Sequence, residues 1–435
     1  MTAGRERSAE QTPGAGEAES PPPARKRGRP SKRGLRREAL LEGAAAIFNT
    51  RGIAATSLAE IAERLSLSRA SVYYYVNDRA ELVFQCYQRA CELMAEDLAA
   101  AAEAPNGLAR TLRFVEHALT PDRPPTAVLS EINYLEPPHR AVIQVANHRN
   151  VTALIGFIEA GVADGGIRPC DCEVAAQTII GMLAWGQLSP AWVRGQDGRA
   201  FRNRMLKAMT GLLTDGVATD PTGRFACDID ADVFLPGRFN AFDRREASEV
   251  KIDQLLTAAS RLFNRDGIEA TSMDAITEPL GATKGVLYHY LRDKADLVVR
   301  CYDRAFDLYD RFAETAAAEG RNGLEQALFG TYINVQAQAG PLSPLMPQPG
   351  LESLPEARRE ILVGRANRLR QVFMRLLRKG IDDGSVRPLD AGMVALIGAG
   401  AFAWLPKWLP PDDPRSPREL ADAICNLHFR GLRAR

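Results

Sequence analysis

The residues able to do chemistry are mostly cations and hydroxyls. Eight bases (Arg25, Lys26, Arg27, Arg29, Lys32, Arg33, Arg36 and Arg37) crowd into one short run without an acid. Such a run attracts polyanions. Further on, Ser57 stands three residues before Glu60, and Ser68 directly precedes Arg69. Both are patterns that cap a helix N-terminus, where exposed amides and nearby cations suit phosphate oxygens. Catalytic arrangements are missing. His117, His139, His148, His289 and His428 are dispersed, and there is no nucleophile elbow or Gly-rich phosphate loop. An enzyme is not expected, nor a cofactor. Cysteines at 86, 91, 170, 172, 227, 301 and 425 are odd in number, with no signal peptide ahead of them, which predicts a reducing, cytoplasmic setting. Cys170-Asp171-Cys172 lacks the spacer and the second ligand pair of a zinc site, so no metal is expected and the thiols read as packing residues.

These groups sit in a chain of 435 residues, with 55 Lys and Arg against 54 Asp and Glu, and 46% apolar residues. The charge of +1 is an average over a segregation. Outside the basic run, 47 bases face 54 acids, so the overall balance does not exclude a nucleic-acid partner. Val174–Val193 is uncharged and about as long as a membrane span. It contains Gln177, Thr178, Gln187, Ser189 and Pro190 and has no basic flank, so it reads as a buried helix and no membrane partner is expected.

The chain repeats itself. Shifted by 215 positions, residues 48–90 superpose on 263–305 without a gap, and 20 of the 43 pairs are identical. Weaker matches continue at an offset of 219, through Gly161/Gly380, Arg168/Arg387, Pro169/Pro388 and Trp185/Trp404. Two domain-sized units follow. Residues 1–33, rich in Pro, Gly, Glu and Arg, are expected to be a disordered basic arm. Residues 217–246, with Asp220-Pro221, Gly223 and Pro236-Gly237, read as a linker.

Apolar periodicity makes each unit helical. Leu40, Leu41, Ala44, Ala45 and Phe48 recur at helical spacing and stop at Gly52; Leu255, Leu256, Ala259, Leu262 and Phe263 stop at Gly267. Strand-like alternation is not sustained, so the class is all-α. Later helices are expected near 91–103, 108–119, 139–164, 172–188 and 198–215. Ser57 starts a short helix through Leu65, Ser66-Leu67 form a tight turn, and Ser68 caps a second short helix from Arg69 to about Val76. Two short helices joined so closely form a helix-turn-helix, whose second helix fits a DNA major groove. The repeat offers 271–280, a turn at Gly281-Ala282, and Thr283 capping 284–291.

The segments TSLAEIAERLSLSRASVYYYVNDRAELV and TSMDAITEPLGATKGVLYHYLRDKADLV resemble the DNA-binding domain of TetR-family transcriptional regulators. The likeness is strongest over about 50 residues per copy. It implies two tandem TetR-like units, each an N-terminal three-helix helix-turn-helix domain followed by a C-terminal helical bundle for ligand binding and dimerisation. The boundaries are 34–85 and 86–216, then 247–300 and 301–435. By the family pattern, Arg69, Ala70, Ser71, Tyr73 and Tyr74 face DNA in the first copy, with Lys284, Gly285, Val286, Tyr288 and His289 as counterparts. Thr56, Ser57 and Arg79, with Thr271, Ser272 and Lys294, would hold phosphates. Pro279, where the first copy has Arg64, departs from the pattern and removes an amide donor late in a helix.

The arm has a resemblance of its own. Lys26-Arg27-Gly28-Arg29-Pro30-Ser31-Lys32 is similar to an AT-hook, in which Arg27 and Arg29 would enter the narrow minor groove of A·T-rich DNA; a solvated basic tail adding nonspecific affinity is the alternative. The bundles would hold an effector pocket, with Tyr134, His148, Met182 and Trp185 as candidates in one copy and Tyr332, Phe373 and Trp404 in the other. The function implied is a regulator, most simply a repressor released from a double-stranded DNA operator by a small, largely apolar effector. Its two halves would form an intramolecular pseudo-dimer or the chain a homodimer. The alternative is an architectural or partner-binding helical protein with degenerate helix-turn-helix copies.

Overall fold

The stripe Leu40, Leu41, Ala44, Ala45 and Phe48 is buried along α1 (Lys32–Arg51), which opens the described chain. The computed structural model describes residues 32–193, 198–237, 244–281, 285, 291–351 and 354–435. These are all-α. Among the described residues no strand forms, and two isolated antiparallel bridges, Ile167 to Arg433 and Ala218 to Val386, are the sheet-like contacts.

In the first half, α2 (Leu58–Arg64) and α3 (Arg69–Tyr73) complete the helix-turn-helix. Then come α4 (Arg79–Ala101), α5 (Gly107–Ala118), α6 (Pro137–Ala163), α7 (Cys172–Leu188) and α8 (Gly198–Asp215). The helix expected at 91–103 is the latter part of α4. Asp78 caps its start by accepting from the Glu81 amide, so one helix joins the DNA-binding head to the bundle. The second half repeats the order: α9 (Arg244–Asp266), α10 (Met273–Thr277), α11 (Lys294–Glu319), α12 (Gly323–Ala339), α13 (Glu356–Asp382), α14 (Ala391–Ala403), the short α15 (Leu405–Trp408) and α16 (Pro417–Arg430).

The described part of the segment read as a linker, residues 217–237, is not an open tether. Phe225, Cys227, Ala231 and Phe234 are buried, and the Phe225 ring lies 5.9 Å from Phe329 and 5.8 Å from Tyr332. Its aromatics offset the polar, Pro- and Gly-rich composition that suggested solvent exposure.

The halves meet along α7 and α14. At their crossing the backbones touch, because a Cβ added to Gly181 would lie 2.5 Å from the Gly400 carbonyl oxygen, and one added to Gly400 would lie 2.5 Å from that of Gly181. The two glycines are counterparts in the repeat. Around them the contacts are reciprocal. Arg168 Nε donates to the Gly431 carbonyl (2.7 Å), and its counterpart Arg387 donates to the Gly216 carbonyl (2.6 Å). Residue i meeting j while j's copy meets i's copy is the pattern of a two-fold interface.

Burial is less symmetric. The first helix-turn-helix shares a separate core with the near edge of its bundle, from Leu40 through Ile61, Val72, Leu82, Tyr87 and Cys91 to Ala127, Leu135 and Ile143. Among the described residues of the second, Phe263, Ile276, Leu297 and Tyr302 run without a break into the core of the bundles.

Candidate nucleic-acid interface and effector pockets

The head of the first half is held by local chemistry. Ser57 accepts from the Glu60 amide, while the Glu60 carboxylate pairs with Arg51 and Arg64. Ser66 makes the turn at φ 54°, and its counterpart Gly281 takes φ 60°. Both copies therefore use left-handed backbone at this point, which glycine adopts without the Cβ penalty that Ser66 carries. Ser68 accepts from the Ser71 amide and shares a 2.7 Å hydroxyl contact with it. These caps leave a short helix whose outer face is Arg69, Ala70, Tyr73 and Tyr74, with the tyrosines 57% and 60% exposed. Ser71 is half-buried, Val72 points inward, and the Arg33 guanidinium stacks over Tyr74 at 4.9 Å, which places the basic start of α1 beside this face. Exposed aromatics flanked by cations can contact bases and phosphates.

Four residues expected at phosphates are engaged within the protein. The Thr56 hydroxyl is fully buried and donates to the Gly52 carbonyl (2.8 Å); Thr271 does the same toward Gly267 (2.8 Å). Each ties the start of the second helix to the end of the first. Arg79 donates to the carbonyls of Ala54 and Thr56 and to the Tyr134 hydroxyl (2.7 Å), stacking on that ring. Lys294 donates to the Glu269 carbonyl, and burial lowers its pKa. Arg79 thus braces the head against Tyr134, and the other three hold the heads together internally. Ser57 and Ser272 remain exposed as the caps of α2 and α10. In the second copy α10 stops at Thr277 and a 3-10 turn carries Glu278–Leu280, so Pro279 shortens the helix. Gly285 is helical and exposed. Thr283, Lys284, Val286, Tyr288 and His289 lie outside the described residues, as do Arg27, Arg29 and the AT-hook-like arm.

Two cavities occupy corresponding places in the bundles. The larger, about 390 Å³, is lined by Ala46, Asn49 and Thr50 of α1, Met94 and Asp97 of α4, Phe114 of α5, Ile180 and Leu183 of α7, Phe201 of α8, and Trp404 of the opposite half. Its wall is mostly apolar. Asp97 pairs there with Arg123, yet burial outweighs that pairing and raises its pKa to about 6. The smaller cavity, about 80 Å³, is bounded by Tyr309, Asn334, Met346, Ala399 and Phe402, together with Trp185, Trp192 and Val193 of the first half.

Of the candidate pocket residues, Trp404 lines the larger cavity, and Trp185 and Phe373 the smaller. Each repeated tryptophan thus closes the cavity of the half to which it does not belong. The other four candidates lie elsewhere. His148 is exposed on the outer face of α6, and Tyr134 is the Arg79 partner. Met182 is fully buried at the α7–α14 crossing, against Gly400. Tyr332 is buried against Phe225, its hydroxyl without a partner.

Comparison with known proteins decides the family. The model for bacterial regulatory proteins of the tetR family matches residues 40–86 and 255–301. The tetracyclin repressor-like C-terminal domain matches 107–217 and 346–432, so the two together span roughly two thirds of the chain. The chain belongs to the TetR family. The HTH-type transcriptional repressor KstR2 of Mycolicibacterium smegmatis is 27% identical over 187 residues, covering 41% of this chain and 89% of the relative. The transposon Tn10 TetC protein of Escherichia coli is 26% identical over 169 residues, covering 38% and 82%. Among solved structures, apo AibR is 25% identical, covers 40% of this chain and 97% of its own, and gives a TM-score of 0.34. One TetR unit therefore corresponds to about half of this chain, which is a tandem, DNA-binding TetR-family transcriptional regulator.

The larger cavity has no contiguous sequence signature, because its wall is assembled from separated elements. One signal was available in the TetR repeat: Met94 and Asp97 stand opposite Tyr309 and Phe312, so the first copy has no ring where the second is aromatic.

Proposed function

We propose that this TetR-family protein is a repressor released from its operator by a small, largely apolar ligand held in the 390 Å³ cavity of the first half. The observation that carries the reading is the shared wall. Asn49 of α1 lines the cavity, donates to the Thr126 carbonyl (2.9 Å) and accepts from the Val128 amide (2.9 Å), and Thr126 and Val128 line it too. A ligand pressing on the 124–129 loop would displace α1, and with it the recognition helix. The ligand shifts the population away from the DNA-bound conformer by its preference for the displaced one.

The two halves act as an intramolecular pseudo-dimer, with Arg69, Ala70, Ser71, Tyr73 and Tyr74 reading one half-site and the second copy reading a different one. The reciprocal Arg168–Gly431 and Arg387–Gly216 bonds support that arrangement. Ser57 and Ser272 sit at helix N-termini where backbone amides suit phosphate, and the Arg27/Arg29 arm adds attraction along the neighbouring groove. The test is fluorescence anisotropy with DNA flanking the protein's own gene, at several salt concentrations and with nonspecific competitor. Sequence-selective binding by one chain per asymmetric site, weakened by an apolar ligand, is expected. A perfect palindrome bound by two chains, each using one copy, would overturn the pseudo-dimer. Binding without sequence preference would favour an architectural role.

A further inference from the structure

The small cavity of the second half is the counterpart of the large one. Tyr309, Asn334, Met346, Ala366, Ala399 and Phe402 stand where the repeat places Met94, Ala118, Val128, Asn147, Ile180 and Leu183, all of which line the large cavity. The clasp on the first helix is also duplicated: Asn264 donates to the Pro344 carbonyl (2.9 Å) and accepts from the Met346 amide (2.8 Å). What differs is an extra ring. Trp192, from the first half, enters this site and is 1% exposed, its ring 5.2 Å from that of Tyr302 and 6.4 Å from that of Phe306. Its indole N–H donates to the Gln348 carbonyl (2.8 Å), and its own carbonyl accepts from Asn367 (3.1 Å). Pro190-Ala191-Trp192 recurs as Pro406-Lys407-Trp408, but Trp408 lies under the Arg415 guanidinium at 5.4 Å and does not line the first half's cavity, so among the described residues no second ring enters that cavity in return.

From these contacts we infer that Trp192 is a tethered occupant of the second half's ligand site, an aromatic ligand supplied in cis. The chain thus carries one exchangeable site and one that is permanently filled. The hydrogen bonds give the filled site a consequence for the DNA-binding head. Gln348, held by the indole, donates through its side chain to the Phe263 carbonyl (2.7 Å) and through its amide to the Tyr302 hydroxyl (3.3 Å). Phe263 and Asn264 form the end of α9, so the indole fixes the loop that grips the second helix-turn-helix. The first half lacks this fixture and keeps the same loop against open space. The inference rests on reading the two cavities as ligand sites, but its test is scored in the second half.

The test removes the ring and returns it from solution. Trp192→Gly should create a cavity shaped for indole, and an apolar cavity of that kind binds a matching aromatic from water. Isothermal titration with indole is expected to show one more bound indole per chain in Trp192→Gly than in the unaltered protein. Hydrogen exchange at residues 255–267 should rise about tenfold or more in the variant and return on adding indole, with 40–51 unchanged. Trp192→Phe, which keeps a ring but loses the bond to Gln348, should bind no extra indole yet exchange faster at 255–267. If Trp192→Gly does not fold alone, folding in the presence of indole gives the same answer. No additional indole in Trp192→Gly, or unaltered exchange at 255–267 in both variants, would overturn the proposal. A failure to find any effector for the first cavity leaves these readouts unaffected, so the two ideas fail separately.

Discussion

The two halves descend from one pattern and are built to different tolerances. The first has a DNA-binding head whose core is shared only with the near edge of its bundle, a 390 Å³ cavity against α1, and Met94 and Asp97 on the cavity wall. The second has a head whose described core is continuous with the bundles, a counterpart cavity of about 80 Å³, and Tyr309 and Phe312 at the same positions. A head whose core takes in only Ala127, Leu135 and Ile143 beyond α4 shifts at a smaller packing cost than one whose core runs on through both bundles. On the function proposed above, the contrast teaches that duplication here separates a responsive unit from a fixed one.

The largest test of that contrast is to make one half resemble the other. Met94→Tyr with Asp97→Phe fills the open cavity with the second half's side chains, and the double variant is expected to bind operator while losing all response to an effector. Anisotropy with and without effector checks it; an unchanged response would place the effector elsewhere.

The seam between the halves should be sensitive to acid. His428, in α16, is buried with Nε2 unpartnered, and burial lowers its pKa from 6.5 to about 4. Because the unfolded chain takes up the proton first, stability should be lost as pH falls from 6.5 toward 4, by up to about 3 kcal/mol. Urea unfolding of the protein and of His428→Leu across that range should show a steep loss in the former and a flatter curve in the latter. Matching slopes would remove His428 as the cause.

A smaller effect separates the two readers. Arg69→Ala or Tyr73→Ala should weaken operator binding by about 1–3 kcal/mol, with specificity relaxed in one half-site. Lys284→Ala should act on the other half-site. If the second-copy variant alone matters in footprinting, the first copy is not a reader. The mildest change is Ser66→Gly, which removes a side chain from left-handed backbone and should stabilise the first head by about 1 kcal/mol. Gly281→Ser should do the reverse, both read as shifts of a few degrees in Tm.

What could be read from the sequence follows the range of the interactions. Ser57, Ser68 and the turn at Ser66 are decided by neighbours within a few residues, so the helix-turn-helix was legible, as was the apolar stripe of α1. Thr56 and Arg79 were misplaced because their partners, the carbonyls of Gly52 and Ala54 and the Tyr134 hydroxyl, are backbone or distant groups with no sequence signature. His148 and Tyr134 show that residue type on a helix does not say which way the helix faces. Trp185 and Trp404 stood out by repetition, but that each closes the opposite half's cavity depends on the crossing at Gly181 and Gly400.

That crossing sits at the pseudo-two-fold, where a homodimer would place the same residue twice. In two separate identical subunits, any substitution at the contact appears on both sides at once and must suit itself. Here Gly181 and Gly400 are encoded separately, and so are Arg168 and Arg387. Each position can change alone while its counterpart keeps the older fit. The covalent join also makes pairing independent of protein concentration, so the partner surface is always present at single-copy abundance. A regulator built this way can evolve toward operators whose two halves share no sequence.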